Sequence, residues 1–204
     1  MSHDFDKAYW ETHWADGHEV RPALPAHPAL QEEIAGLPAG TALDAGAGEG
    51  AEASWLADKG WQVTAVDISA TALARAARLP RQESVGSLAW VEADLADWEP
   101  AQQFDLVATF YAHPAMPQHS FYERIARWVA PGGTLLIVGH HDDHGHAHGE
   151  THPSTAVTRP DQIRALFDSA EWVVHVAEVR ARTVAGGGGH GVQLRDVIAR
   201  LERI

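Results

Sequence analysis

The sequence predicts an α/β fold in three layers, a mostly parallel sheet between two layers of helices. Three observations carry this. From Thr41 to Val138, short apolar runs alternate with helical stretches, the pattern of βαβ units. The first run, Thr41–Ala45, enters a turn holding Gly46, Gly48 and Gly50; strand, glycine turn and helix open a nucleotide-binding, Rossmann-like unit. The run Thr134–Val138 is apolar throughout, as expected of a strand covered on both faces.

In order, residues 4–15 read as an aromatic helix, with Phe5 and Tyr9, then Trp10 and Trp14, four apart. Docking of these rings on the core is the plainer reading; a lid over a site is the other, and both can hold. Pro22, Pro25 and Pro28 mark a loop. A helix over 27–35 precedes the first strand. The next helix, about 49–59, ends at Gly60. Trp61–Asp67 is the second strand, Ser69 a candidate N-cap for a helix over 70–79. Leu88–Glu92 and Phe104–Phe110 are the third and fourth strands. A helix over 118–130 stops at Pro131-Gly-Gly133, and Thr134–Val138 is the fifth strand. Pro160 opens a helix to about Phe167. Trp172–Arg180 and Val192–Arg200 read as two late strands, an antiparallel pair at one edge, because no helix fits between them. The second also has a helical reading, since its periodicity is mixed.

The chain has 204 residues, suggesting a single domain over 1–204, with 1–27 as an N-terminal lid segment. It carries 28 acidic against 15 basic residues, a formal charge of −13, which argues against nucleic acid as partner. Cysteine is absent, so thiolate chemistry and disulfides are excluded. The N-terminus shows no basic region followed by an apolar run, and no apolar run is long enough to span a bilayer. The expectation is a cytoplasmic protein with no membrane partner, monomer or homodimer.

The glycine turn fits two cofactors. Gly46-x-Gly48-x-x-Ala51 satisfies the relaxed dinucleotide fingerprint. Asp67, at the end of the second strand, suits ribose hydroxyls in either case. Asp44 discriminates: two residues before the first glycine, it would repel a pyrophosphate but suit the ammonium of a methionine moiety, while the turn amides hold its carboxylate. Asp94, after the third strand, can accept from an adenine amine, and Ile68 can pack on the adenine face. Loop aspartates more often cap turns; the joint placement favours the site.

Together, Asp44-x-Gly46-x-Gly48-x-Gly50, Val63-Thr-Ala-Val-Asp67-Ile-Ser69, Ala93-Asp94-Leu95, Phe104-Asp-Leu-Val107 and Pro131-Gly-Gly133 before Leu135-Leu-Ile137 resemble the class I S-adenosylmethionine (SAM)-dependent methyltransferases. The resemblance covers about residues 28–140 well and the late strands loosely. Tyr9-Trp10-Glu11 is loosely similar to small-molecule methyltransferases of the tellurite-resistance and thiopurine type. It implies a seven-stranded sheet of order 3-2-1-4-5-7-6 with the last strand antiparallel. It also implies SAM as cofactor, held by Asp44, Ala45, Gly46, Gly48, Gly50, Asp67, Ile68, Asp94, Leu95 and Phe110.

The acceptor would be a small molecule, with its O, N, S or chalcogen atom open, meeting Trp14, Arg21, His140 and His141. Tyr111 and His113 follow the fourth strand, where this family places catalytic residues. Tyr111-Ala-His113-Pro114 does not match the Asn/Asp-Pro-Pro-Tyr motif of amino-methylating nucleic-acid enzymes. His113 is a candidate general base; the plainer reading is a loop histidine bonded to backbone. The segment 140–152 is rich in histidine. His144, His146 and His148 are candidate metal ligands, against the preferred reading of a polar surface loop. The alternative functions are a non-catalytic SAM- or metal-binding protein and, third, an NAD-dependent oxidoreductase.

Overall fold

The structure, a computed structural model, describes residues 5–16, 25–79, 86–141, 157–185 and 191–204. Two helices, α1 (Lys7–Asp16) and α2 (Pro28–Ile34), precede the alternating part. This runs β1 (Thr41–Ala45), α3 (Ala51–Asp58), β2 (Gln62–Asp67), α4 (Ala70–Ala76), β3 (Ser87–Glu92), β4 (Phe104–Phe110), α5 (Gln118–Ala126) and β5 (Val129–His141). Then follow β6 (Val157–Thr158), α6 (Pro160–Leu166), β7 (Trp172–Ala185) and β8 (Gly191–Arg203).

The long strands lie in the order β3-β2-β1-β4-β5-β8-β7, with β6 paired to β5. Strands β1 to β5 are parallel neighbours; β8 runs antiparallel to both β5 and β7. The expected order holds for the seven long strands. The difference is β6, an eighth strand of two residues beside His140 and His141.

Alternation along the strands builds two apolar layers. Ala42, Leu106, Ala108 and Ile198 pack with Leu30 and Ile34 of α2 and Leu56 of α3. Leu43, Val107, Val197 and Leu201 pack with Phe121 and Ile125 of α5 and Ile163 of α6. Each fully buried Leu, Ile or Phe contributes about 1.5–3 kcal/mol. Ser69 caps α4 by accepting from Ala72 N–H, and Pro160 stands in the first turn of α6, both as expected.

Several boundaries differ from the sequence reading, two of them around the proline turn. Helix α5 stops at Ala126, not Ala130, because Trp128 C=O accepts from Phe104 N–H and draws the chain onto β4 before the proline turn. Strand β5 therefore starts at Val129, with a register shift between Phe104 and Leu106. Residues 192–200 are strand, as read, and not the alternative helix: Val197, Ile198 and Ala199 are buried between β5 and β7, and ladder pairing overrides local periodicity.

Candidate functional site

At the carboxyl ends of β1 and β2 the glycine turn is built by packing as much as by conformation. Gly46, Gly48 and Gly50 have φ of 86°, 52° and 76°, values that favour glycine. A Cβ on Gly46 would lie 2.3 Å from Ala112 Cβ, and one on Gly50 2.3 Å from Trp90 Cη2.

The turn amides are spent inside the protein. Gly46 and Ala47 N–H donate to Val66 C=O, Gly50 N–H to Ala47 C=O, and Gly48 N–H to Asp67 Oδ2. At these four positions the tight turn satisfies its own donors. Asp67 is likewise engaged, with Oδ1 accepting from Ser69 N–H at 2.8 Å. One further lone pair on each oxygen remains for a ribose hydroxyl. Asp94 Oδ1 accepts from Ala96 N–H, and so caps its own turn. Leu95 and Phe110 are buried and Ile68 half-buried.

Asp44 is 1% exposed, and its Oδ2 has no hydrogen-bond partner among the described residues. Burial, then the nearby charges of Glu52 and Asp67, push its carboxyl well above the usual range. Burial also raises Glu52 and Asp67. Three crowded carboxyls, one with an unsatisfied oxygen, favour a cationic donor. The ammonium of SAM has that chemistry, so the residues fit the cofactor that the sequence implies.

Helix α1 crosses this region. Glu11 accepts from Ala70 N–H at 2.6 Å and from Thr71 Oγ1, capping α4 from outside its own chain segment. Lys7 pairs with Glu92 at the end of β3. The Trp14 ring lies 3.3 Å from where a Cβ on Gly48 would stand. Trp10 Nε1–H donates to His113 C=O, and Phe5 lies against the His113 ring.

Across the ends of β4, β5 and β8 lies a second cluster. Tyr111 has φ of 53°, costly for a bulky residue. Its ring centroid is 4.5 Å from that of His140, which in turn stacks 5.5 Å from that of His113. His113 is buried. Its Nδ1 faces Gln118 Oε1 at 3.1 Å, and the Gln118 amide is oriented by donating to Ala112 C=O. That orientation places the ring proton on Nδ1 and the basic lone pair on Nε2.

Behind Tyr111, Asp196 is buried and Oδ2 accepts from Arg182 Nε and lies 3.2 Å from His27 Nε2. Burial alone would raise the Asp196 carboxyl; the hydrogen bonds from His27, Tyr111 and Arg182, with the Arg182 charge, outweigh it and hold it at about 2. Tyr111 moves the other way: burial and the Asp196 charge raise its phenol far above the usual value. Tyr111 is therefore a neutral hydrogen-bonding group and not a base.

The structure brings Tyr111, His113 and His140 together, sets Trp14 beside Gly48, and leaves His141 beside β6. Arg21, His144, His146 and His148 lie outside the described residues. Among the described residues no group of three metal-ligating side chains is assembled, and no helix is long and apolar enough to cross a membrane. Sequence reasoning missed His27, Arg182, Asp196, Glu11 and Glu52. One signal was available: Asp196 interrupts a buried apolar strand, and a lone acid there needs a partner.

Residues 42–133 match the family described as a methyltransferase domain. The chain is 26% identical over 178 residues to trans-aconitate 2-methyltransferase of Azoarcus sp. (strain BH72), covering 83% of this chain and 69% of that protein. It is 29% identical over 138 residues to probable thiol methyltransferase 2 of Arabidopsis thaliana, covering 63% of this chain and 60% of that one. Among solved structures it superposes on magnesium protoporphyrin IX methyltransferase from Synechocystis PCC 6803, with bound S-adenosylhomocysteine. The TM-score is 0.69 at 15% identity, covering 97% of each chain.

Proposed function

We propose how this chain works from one premise: it belongs to the class I SAM-dependent methyltransferases and takes SAM as its cofactor. The domain match and the fold support the premise and set aside the oxidoreductase alternative. On this reading the chain methylates a small molecule. The observation that carries the reading is the buried Asp44 with an unsatisfied oxygen beside the glycine turn.

Asp44 receives the cofactor's ammonium, directly or through water, and Asp67 the ribose. Asp94 and Ile68 flank the base, Gly46 to Gly50 shape the floor, and helix α1 forms the lid, with Trp14 over Gly48. When bound, SAM supplies a methyl group already activated on a sulfonium sulfur. The chain's own work is then alignment and proton handling. The acceptor sits against Tyr111, His113 and His140. His113 Nε2 takes a proton from an acceptor hydroxyl, thiol or carboxyl, while Gln118 Oε1 stabilises the resulting imidazolium through Nδ1–H. Phe5 and Trp10 hold His113 from the lid side. The names of the similar proteins include a carboxylic acid and a thiol, so oxygen and sulfur acceptors rank first.

Isothermal titration with SAM, S-adenosylhomocysteine and NAD tests the cofactor. Binding of the adenosyl compounds below about 1 mM, roughly 4 kcal/mol, with none of NAD, is the expected result. Absence of adenosyl binding overturns the reading. Turnover against carboxylic acids, phenols, thiols and amines then ranks acceptors.

A further inference from the structure

Resting on that reading, we propose that Arg124 of α5 is a positioning residue for the cofactor's base: it holds the turn 94–98 so that Asp94 Oδ2 accepts from the adenine amine. Residues 93–103 carry the chain from β3, at the edge of the sheet, to β4, beside β1, and no helix lies between them. The connections from β1 to β2, β2 to β3 and β4 to β5 each contain one. A turn with neither ladder nor helix must satisfy its backbone by other means.

The N–H groups find partners close by. Ala93 N–H donates to Asp67 C=O, and Asp97 and Trp98 N–H donate to Asp94 C=O. Asp94 Oδ1 accepts from Ala96 N–H at 2.8 Å. That bond fixes the carboxylate, and Oδ2 has no partner among the described residues.

The carbonyls of Leu95 and Trp98 are met from another layer. Arg124 Nε donates to Leu95 C=O at 2.8 Å, and Nη2 donates to Trp98 C=O at 2.9 Å. A planar fork fixes both carbonyls in one register, which the point charge of a lysine does not. The guanidinium is itself held. Its carbon stands 5.5 Å from the centroid of the Trp128 ring. Nη2 pairs with Glu99 Oε1, and Glu99 Oε2 accepts from Trp128 Nε1–H. The Trp98 ring meets Trp128 edge-on, and Leu95 is buried in the same apolar layer as Phe121 and Ile125 of α5. The Arg124 side chain is 18% exposed, so these bonds are largely shielded from water.

Helix α5 thus acts at both ends. Gln118, at its start, orients His113. Arg124, in its last turn and about 9 Å further along the axis, fixes the turn that carries Asp94. The helix that sets the proposed base also sets the carboxylate that reads adenine.

The test titrates the full chain with S-adenosylhomocysteine and with S-inosylhomocysteine. The two ligands differ only in the base, where a carbonyl oxygen replaces the amine and a ring nitrogen gains a hydrogen. Wild type should bind the adenosyl compound at least about tenfold more tightly, because a carboxylate attracts the amine and repels the carbonyl. In Arg124→Met this preference should fall below about threefold, while affinity for the inosyl compound stays within about twofold of wild type. Arg124→Lys should lie between the two. Arg127→Gln, at the exposed C-cap of the same helix, should keep the full preference. Should Arg124→Met fail to fold, Arg124→Lys carries the test, with melting temperature as control. A role in the fold alone would weaken both ligands equally. Equal loss of both, a preference that survives in the folded Arg124 variants, or a wild-type chain that binds the two compounds alike overturns the proposal. Failure of the wild-type chain to bind S-adenosylhomocysteine overturns instead the reading beneath it.

Discussion

The ends of β1 to β3 and the ends of β4, β5 and β8 are both polar, but they are assembled differently. The first half is local. Asp44, the glycine turn and Asp67 lie within 24 residues on one βαβ unit, and Asp67 bonds to Gly48, 19 residues away. The second half is gathered from the whole chain: His27 meets Asp196 across 169 residues, and Tyr111 meets Arg182 across 71. Charge also divides them. The first half is crowded with carboxyls pushed upward by burial, and Lys7 and Arg75 beside it are paired with Glu92 and Glu49. The second holds a carboxylate at about 2 beside its arginine. A site crowded with buried carboxyls suits a cationic ligand; a site whose carboxylate is already neutralised by its own arginine does not.

Substitutions should therefore separate the halves. The largest effect belongs to the proposed base. His113→Gln should lower kcat by about a thousandfold, roughly 4 kcal/mol, and leave S-adenosylhomocysteine affinity unchanged by titration. A fall in affinity instead would place His113 in the cofactor half and break the division.

Asp196→Asn comes next, and acts on stability. It leaves Arg182 and His27 without their carboxylate, at a cost of about 3 kcal/mol and a melting temperature lower by about 6–12 °C. The wild type should show the matching pH dependence. Because the folded value of about 2 lies below the unfolded carboxylate value, this stability is present above about pH 4. It is lost as pH falls toward 2. Thermal scans from pH 2 to 7 should show a slope that Asp196→Asn lacks.

In the cofactor half, Asp44→Asn should weaken S-adenosylhomocysteine binding by about 100-fold, or 2.7 kcal/mol, with little change in folding. The sign of the pH effect is also fixed. Burial raises Asp44 in the free protein, and an ammonium beside it lowers it again, so binding releases protons and affinity rises with pH. Titration in buffers of different ionisation heat reads the released protons. A flat profile would remove Asp44 as the cation's partner.

The same contrast explains what was legible. The strands, the glycine turn, Asp44 and Asp67 could be read because each depends on neighbours in sequence: alternation, a strand end and a fixed spacing. Even there Gly46 misled in part. Its need arises from Ala112 and a positive φ, and the turn amides it was expected to offer are satisfied internally. Tyr111 and His113 were legible as positions after a strand, and His113 as a candidate base, but not in their surroundings. Those depend on Gln118, Arg182 and Asp196, and long-range pairing leaves no spacing to read. His27 looked like an ordinary helix start; only the fold shows that its cap bond fixes its tautomer.

The smallest effect tests the element that joins the halves. Helix α1 touches the cofactor half through Glu11 and Trp14 and the acceptor half through Phe5 and Trp10. Hydrogen bonds from Thr71 and then Ala70 lower the Glu11 carboxyl, so docking is favoured above the usual glutamate value of about 4.3 and weakens as pH falls below it. An N-cap contributes about 1 kcal/mol. Glu11→Ala should therefore speed S-adenosylhomocysteine release by about fivefold, roughly 1 kcal/mol. It should also speed amide exchange at Ala70 and Thr71. If exchange quickens while release does not, α1 caps α4 without closing the site. If both quicken, one carboxylate ties the lid to cofactor retention.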